Sequence, residues 1–184
     1  MNRIKFTILQ ARLQKPCLKQ YLEPLFQCQQ LTDLTPERLA SFGVKLIALD
    51  FDGVLAAHGE VEIRSEVRVW MEAVGLPMVI LSNKPNRPRI EHLKKQFPAV
   101  EFMQGFRKKP YPDGLLSLMR THQLRPEQVL MVDDRLLTGL LGACIAGCRG
   151  VIVLAPYRRM LQRPVVELFF ECLRRIERLW LRWC

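Results

Sequence analysis

The sequence predicts an α/β fold, with a mostly parallel β-sheet and helices on both of its faces. Short apolar stretches, typical of strands that are covered on both sides, alternate along the chain with amphipathic helical stretches. Alternation at this pace predicts right-handed crossovers and therefore parallel neighbours. The predicted strands are residues 46–49, 78–81, 129–132 and 151–154, with a further short one over 100–103.

Local signals place the helices between these strands. Thr35 as N-cap, followed by Pro36 at the first helical position, predicts a helix that ends at Gly43. Residues 55–61 are expected to form a small hairpin or flap. Further helices are predicted over residues 65–74, 90–97, 115–121 and 138–146.

Length and composition suit one globular domain, because 184 residues with 49% hydrophobic content can bury a substantial core. We expect three parts along the chain. These are an N-terminal arm or short helices over residues 1–33, a core over 34–156, and a basic linker with a C-terminal amphipathic helix over 157–184.

The net charge of +10 predicts attraction to an anionic partner, which leaves nucleic acid, a phosphorylated substrate and an acidic membrane surface open. The six cysteines include no C-x-x-C pair, so reduced, buried thiols are expected. The first residues lack the apolar core of a secretory signal, and no uncharged apolar run reaches the roughly 18 residues of a spanning helix. We therefore expect a cytoplasmic protein, with peripheral contact at the inner face of the membrane left open.

Polar side chains follow three of the predicted strands. Carboxyl ends of parallel strands meet at one edge of a sheet, where such folds bind ligands, so we expect these side chains to lie together. A lysine pair, Lys108 and Lys109, lies between the second and third strands. The strand-end side chains are Asp50, Asp52, Ser82, Asn83, Asp133 and Asp134.

These residue types are the ones that phosphoryl transfer uses. In extended backbone Asp50 and Asp52 point to the same side, so one carboxylate can attack phosphorus while the other shuttles a proton. Two close anions also call for a cation beside them. A hydroxyl and a lysine at the same edge can hold phosphoryl oxygens.

The order of these motifs resembles the haloacid dehalogenase-like (HAD) phosphohydrolase superfamily. Its first motif, Asp-x-Asp-x-Thr/Val, is matched by residues 50–54, and its second, an apolar strand that ends in Ser or Thr, by residues 80–83. Its third-motif lysine is matched by Lys109, with Lys108 as the alternative, and its paired acids by residues 132–134. The match covers about residues 44–156 and implies a Rossmann-like fold.

The resemblance implies a two-step, Mg²⁺-dependent phosphomonoesterase. Asp50 would attack phosphorus to form an aspartyl phosphate, and Asp52 would protonate the leaving oxygen and then activate water. For Asn83 a local turn hydrogen bond is an equal alternative to a site role. The implied binding residues are Ser82, Asn83 and Lys109 for phosphate, and Asp50, Asp52 (through its backbone carbonyl), Asp134 and, as an alternative ligand, Asp133 for Mg²⁺.

A narrower resemblance is to the bacterial and mitochondrial phosphatidylglycerophosphate phosphatase branch. Its fourth motif usually reads Gly-Asp-Gln-x-x-Thr-Asp, whereas this chain has Asp133 in place of the first glycine and Gly139 in place of the final acid. The spacing between motifs leaves no room for a cap domain, which favours a large or surface-bound substrate. The alternatives are a nucleic-acid or protein phosphatase and a catalytically inactive interaction module with the same fold.

The C-terminal segment is predicted to be amphipathic. Two positions are open for it: a helix that is docked on the sheet, or a helix that lies in a membrane interface. His58 and the basic residues of the 84–95 segment, including Arg89, are expected at the surface.

Overall fold

A six-stranded sheet forms the centre of the molecule in the computed structural model, which describes residues 2–84 and 86–183. The strand order is β1-β6-β5-β2-β3-β4, and every neighbouring pair is parallel. The predicted α/β fold with a parallel sheet is therefore confirmed. The strands are β1 (Gln27–Cys28), β2 (Leu46–Leu49), β3 (Met78–Ile80), β4 (Glu101–Phe102), β5 (Val129–Asp133) and β6 (Arg149–Val153).

Helices cover both faces of the sheet, as its alternating side chains require. Ile47 and Leu49 of β2 pack into one apolar cluster with the helices on their side, while Leu46 and Ala48 pack into another cluster on the opposite face. The helices are α1 (Arg3–Leu13), α2 (Lys15–Lys19), α3 (Pro36–Phe42), α4 (Ser65–Val74), α5 (Arg87–Gln96), α6 (Asp113–Thr121), α7 (Leu141–Ala146) and α8 (Pro164–Trp183).

Local signals fix several of these boundaries. Thr35 Oγ1 accepts a hydrogen bond from the backbone N–H of Arg38 at 3.3 Å and caps α3 as predicted. The helix predicted over 138–146 is divided into a π-helical turn, Leu136–Leu140, and α7. Residues 55–61 form turns rather than a hairpin of strands.

The N-terminal residues contribute to the sheet. Beyond the short helices α1 and α2, the chain forms β1, which pairs with the outer side of β6 in the register Gln27 to Ile152 and Cys28 to Val153. The strand is two residues long, so no periodic pattern marks it in the sequence.

The expectation that the cysteines are reduced thiols is wrong for two of them. Cys17 of α2 and Cys144 of α7 form a disulfide with a Cα–Cα distance of 5.9 Å. The two positions are 127 residues apart, and the packing of α2 against α7 brings them together. Cys28 and Cys148 are buried free thiols, and Cys172 is an exposed one.

Helix α8 is docked on the molecule with its charged side inward. Glu167, Arg174 and Glu177 are buried with Leu181, whereas the apolar residues on the other side of the helix are exposed. This orientation is the reverse of that in an ordinary surface helix, whose apolar stripe faces the core. Over the described residues, no helix combines the length and the apolar character needed to cross a bilayer.

Candidate active site

The carboxyl ends of β2, β3 and β5 surround one pocket of about 230 Å³. Asp50, Asp52 and Asp134 line it together with Ser82 and Asn83. Because the carboxyl ends of parallel strands meet at one edge of the sheet, the side chains of three separate motifs lie together. Basic residues from four different segments complete the lining: Arg3, Lys84, Lys108 and Arg135.

Asp50 lies beside the other acids and a lysine. Carboxylate oxygens of Asp50, Asp133 and Asp134 all lie within 4.8 Å of one another. Lys109 Nζ donates to Asp133 Oδ2 at 2.6 Å and lies 3.0 Å from Asp50 Oδ1, an ion pair that lacks hydrogen-bond geometry at Asp50. Burial raises the pKa of Asp50 to about 6, against the lowering effect of the Lys109 charge.

Asp134 is buried and receives its countercharge from α8. Arg174 Nη1 donates to Asp134 Oδ2 at 2.7 Å, and both side chains are 2% exposed. Burial and the neighbouring Asp133 carboxylate still raise the pKa of Asp134 to about 8. Gly53 allows this carboxylate to approach, because a Cβ there would lie 2.8 Å from Asp134 Oδ2, and the φ of +85° favours glycine.

Asp133 organises the loop that follows β5. It is fully buried, and besides Lys109 it accepts hydrogen bonds from the backbone N–H of Arg135 at 2.9 Å and from Thr138 Oγ1 at 3.2 Å. Its carboxylate also fills the space beside Gly139, where a Cβ would lie 2.6 Å from Asp133 Cγ. The glycine at position 139 is thus explained by the acid at position 133.

Asp52 points away from the acidic cluster and pairs with Arg89 of α5. Arg89 Nη2 and Nη1 donate to its two oxygens at 2.7 and 3.1 Å, and Gly59 N–H donates to Oδ1 at 3.2 Å. Burial acts to raise the pKa of Asp52, but the hydrogen bonds and charge of Arg89 outweigh it, so the pKa lies below its ordinary value. The expectation that Arg89 is a surface residue is wrong: it is 2% exposed.

The side-chain amide of Asn83 forms two hydrogen bonds with the backbone of Lys109. Asn83 Oδ1 accepts from Lys109 N–H at 2.6 Å, and Asn83 Nδ2 donates to Lys109 O at 3.2 Å. The side-chain amide of Asn83 therefore fixes the loop that carries Lys109, whose bond to Pro110 is cis. Lys109 is buried among the acids, whereas Lys108 lies at the exposed rim of the pocket.

Ser82 and His58 both line the pocket. Ser82 Oγ accepts from Lys84 N–H at 3.3 Å, which leaves its own proton free to be donated. His58 was expected at the surface, but it is buried and packs edge-on against Phe170 of α8 at 4.0 Å. The position of α8 over this edge is the reason for the difference.

Glu177 of α8 secures the start of the π-helical turn. It accepts hydrogen bonds from Arg135 Nε at 2.9 Å and from the backbone N–H of Leu136 at 3.0 Å. The loop after Asp134 is therefore tied to α8 at two points, Arg174 and Glu177. Sequence reasoning missed these two residues and Arg89 as parts of the site.

The acidic cluster fits a hard divalent cation. Its donors are all oxygens, and Asp50 Oδ1 is buried without a hydrogen-bond partner among the described residues. Mg²⁺ prefers such carboxylate oxygens and retains several waters, for which the pocket offers space. The side chain of Asp52 does not take part in this cluster, since Arg89 holds it.

Comparison with known proteins agrees with this arrangement. Residues 106–156, which contain Lys109, β5 and the paired acids, match the model of the HAD-hydrolase-like family. This match supports assignment of the chain to the HAD-like hydrolase superfamily.

Individual proteins are also similar to this chain. The Bacillus subtilis protein named "Probable phosphatase YqeG" is 27% identical over 139 residues, which is 74% of this chain and 79% of that protein. An uncharacterized protein from Corynebacterium glutamicum, of known structure, is 26% identical, with a TM-score of 0.46 and coverage of 70% of this chain and 94% of the other. The 3-deoxy-D-manno-octulosonate 8-phosphate phosphatase from Moraxella catarrhalis is 15% identical, with a TM-score of 0.44 and coverage of 79% and 97%.

Proposed function

We propose that this chain is a Mg²⁺-dependent phosphomonoesterase of the HAD type with Asp50 as nucleophile. The observation that carries the proposal is the position of Asp50 at the end of β2, on the pocket wall, within 3.0 Å of Lys109 Nζ and beside two further carboxylates. The likeness to a protein named as a phosphatase supports the same reaction class.

In the first step, a carboxylate oxygen of Asp50 forms a bond to phosphorus as the bond from phosphorus to the ester oxygen breaks. A pKa of about 6 leaves Asp50 mostly ionised at neutral pH, so it is competent to attack. Asp52 supplies the proton to the leaving oxygen. Arg89 disfavours the protonated form of Asp52, and an anionic phosphate bound beside it opposes that effect.

In the second step, a water oxygen attacks phosphorus, the bond between Asp50 and phosphorus breaks, and inorganic phosphate leaves. Asp52, which is ionised after it has donated its proton, accepts the proton of that water. We assign the phosphoryl oxygens to Lys109, whose Nζ lies 3.0 Å from Asp50 Oδ1, and to the hydroxyl of Ser82 on the pocket wall.

Asp50, Asp134 and Asp133 would hold Mg²⁺, with the backbone carbonyl of Asp52 as a further proposed ligand. When it is bound, Mg²⁺ offsets negative charge at the transferring phosphoryl group. Asp133 already accepts three hydrogen bonds, so we place it as the weakest of these ligands.

The proposed substrate is a phosphorylated lipid, with phosphatidylglycerophosphate as the specific candidate. The pocket of about 230 Å³ is smaller than the roughly 300–1,000 Å³ typical of sites that enclose a whole small molecule. A phosphate with a small part of its headgroup fits, and the rest of the molecule would lie outside. Between β2 and β3 the described chain holds only α4, which leaves the mouth without a cap.

The test is phosphate release from an aryl phosphate and from phosphatidylglycerophosphate in mixed micelles, with Mg²⁺ or with a chelator. We expect Asp50→Asn to lower turnover by at least about a thousandfold, since it removes the nucleophile. Asp113→Asn, a matched change at an aspartate that pairs with Arg107 outside the pocket, should retain turnover.

Turnover that is equal in the presence of a chelator, or that survives Asp50→Asn, contradicts the proposed mechanism. Cleavage of the aryl phosphate alone would keep the enzyme class and exclude the lipid substrate.

A further inference from the structure

Helix α8 has two opposite sides of different chemistry. The inward side carries Glu167, Arg174, Glu177 and Leu181, spaced three or four residues apart and buried. Arg174 and Glu177 bond to the loop after β5, beside the pocket, and Glu167 accepts a hydrogen bond from the backbone N–H of Arg159 just before the helix. The helix is therefore held in place through its polar residues, and its apolar side remains uncovered.

The outward side is a continuous apolar stripe, which we call the outer stripe. On a helical wheel its members lie opposite the buried row. Exposed fractions along it include 57% at Phe169, 60% at Ile176 and 84% at Trp183. The outer stripe consists of Val165, Leu168, Phe169, Cys172, Ile176, Leu179 and Trp183.

The outer stripe is part of a larger apolar surface. Most exposed large apolar side chains of the described residues belong to α8, to Met160 and Leu161 just before it, or to α1. Ala11 of α1 and Leu181 of α8 belong to the same apolar cluster of the core. Exposed apolar side chains that are concentrated on a few segments mark an interaction surface rather than the scattered exposure of ordinary monomers.

Both helices that carry this surface also reach the pocket. Arg3 of α1 and Phe170, on the inward side of α8, line the pocket. A surface bound to the outer stripe therefore lies about one helix diameter, roughly 10–12 Å, from the pocket lining.

Positive charge flanks the outer stripe along one edge. Arg175 and Arg182 are exposed on this edge. The chain as a whole carries +10. Apolar side chains that end in a tryptophan and are edged by arginines fit the boundary between acyl chains and anionic headgroups.

We propose that the outer stripe of α8, together with α1, binds the surface of an anionic lipid bilayer and so presents the pocket to phosphorylated headgroups. The inference names the partner of the site and rests on the proposed function for its biological role. A second copy of this chain fits less well, because it would bring the same arginine edge and another net charge of +10 to the contact.

The experiment measures co-sedimentation of the full chain with vesicles of phosphatidylcholine alone and of phosphatidylcholine with phosphatidylglycerol. We expect binding that requires the anionic lipid and weakens as salt is raised. Phe169→Gln with Ile176→Gln should reduce the partition coefficient by at least about tenfold, because both side chains would lose burial in the bilayer.

A matched control makes the same chemical change elsewhere. Val69→Gln with Leu116→Gln alters exposed apolar residues of α4 and α6, outside the proposed surface, and should leave vesicle binding as in the unaltered chain. Circular dichroism and thermal unfolding of each variant verify that a loss of binding does not reflect a loss of fold.

Equal vesicle binding by both double variants would overturn the inference. So would a dimer in sedimentation velocity that the outer-stripe variant alone dissolves, or binding to a single-stranded oligonucleotide in place of vesicles.

Turnover of a soluble aryl phosphate by the same samples separates the two proposals. Turnover without vesicle binding would contradict only the proposal of membrane binding. Vesicle binding without metal-dependent turnover would contradict only the proposal of phosphatase activity.

Discussion

Arg174 Nη1 donates a hydrogen bond to Asp134 Oδ2 at 2.7 Å, and both side chains are 2% exposed. The pair joins the C-terminal helix to a carboxylate at the end of β5. Asp134 thus has its countercharge supplied from about 40 residues further along the chain. A buried pair of this kind depends on both partners, since the survivor of a single substitution is left as an uncompensated charge.

Above about pH 8, where Asp134 is ionised, Arg174→Met should lower the free energy of unfolding by about 3–5 kcal/mol in a chelator, the usual cost when a buried pair loses one partner. Excess Mg²⁺ should recover part of the loss by supplying positive charge at Asp134. Urea unfolding with and without Mg²⁺ measures both effects. Arg175→Met, which removes an exposed pair with Glu171, is the control and should cost less than about 1 kcal/mol. Equal losses in the two variants would contradict the argument.

Arg89→Gln should move the titration of Asp52 to higher pH. In the native site Arg89 holds the pKa of Asp52 below its ordinary value, so loss of this close opposite charge raises that pKa. The corresponding limb of the pH profile of kcat/KM should move in the same direction. Arg87→Gln, at an exposed residue of the same helix, should leave the profile unchanged. Identical pH profiles for the unaltered chain, Arg89→Gln and Arg87→Gln would contradict the assignment of this limb to Asp52.

Gly139→Ala should destabilise the protein by about 1–3 kcal/mol, because the new methyl group overlaps the buried carboxylate of Asp133. The same change in an Asp133→Ala background should cost at least about 1 kcal/mol less, since the overlap is gone. A double-mutant cycle by chemical denaturation measures this coupling. Gly142→Ala is the control, as its nearest contact would be the backbone oxygen of Pro110 at 3.4 Å. Additive effects would show that the two positions do not compete for space.

The metal-free protein should lose stability as pH rises from about 4 through about 8. Folding raises the pKa values of Asp50 to about 6 and of Asp134 to about 8, each from 3.8, so over this range the folded state binds more protons than the unfolded state. The free energy of unfolding therefore falls as these groups ionise. Asp134→Asn should flatten the upper part of the profile, and excess Mg²⁺ should restore stability at the alkaline end. Parallel profiles for the variant and the unaltered chain would refute the argument.

Cys17→Ser should lower stability by about 2–5 kcal/mol, because the Cys17–Cys144 bond closes a long loop that otherwise adds entropy to the unfolded chain. Thermal unfolding without reductant gives the measurement. Cys172→Ser, at an exposed free thiol, should have little effect. Addition of reductant should bring the unaltered chain to the stability of Cys17→Ser; a difference that persists would assign the loss to packing.

The sheet and the acidic edge could be predicted because both follow from local patterns. Apolar runs that end in acids placed Asp50 and Asp134 at strand ends, and parallel order brought those ends together. Strand β1 could not be predicted in this way, since its two residues show no period and depend on pairing with β6, far away in sequence. The Cys17–Cys144 contact is non-local for the same reason.

Arg89 and Arg174 were missed because periodicity distinguishes polar faces from apolar ones but not buried polar faces from solvated ones. The charge balance of the acidic edge could have indicated these two residues. Several acids at one buried edge need more positive charge than Lys109 supplies, and arginine is suited to such buried pairs. A search for arginines that could reach the strand ends would have included both residues.

The two anchors of α8 lie at positions 174 and 177, one helical turn apart, and each serves a different part of the loop after β5. The C-terminal helix and the acidic edge of the sheet therefore depend on each other. A chimaera that receives the tail of a relative would keep an intact edge only if the transplanted helix offers an arginine followed three residues later by a carboxylate.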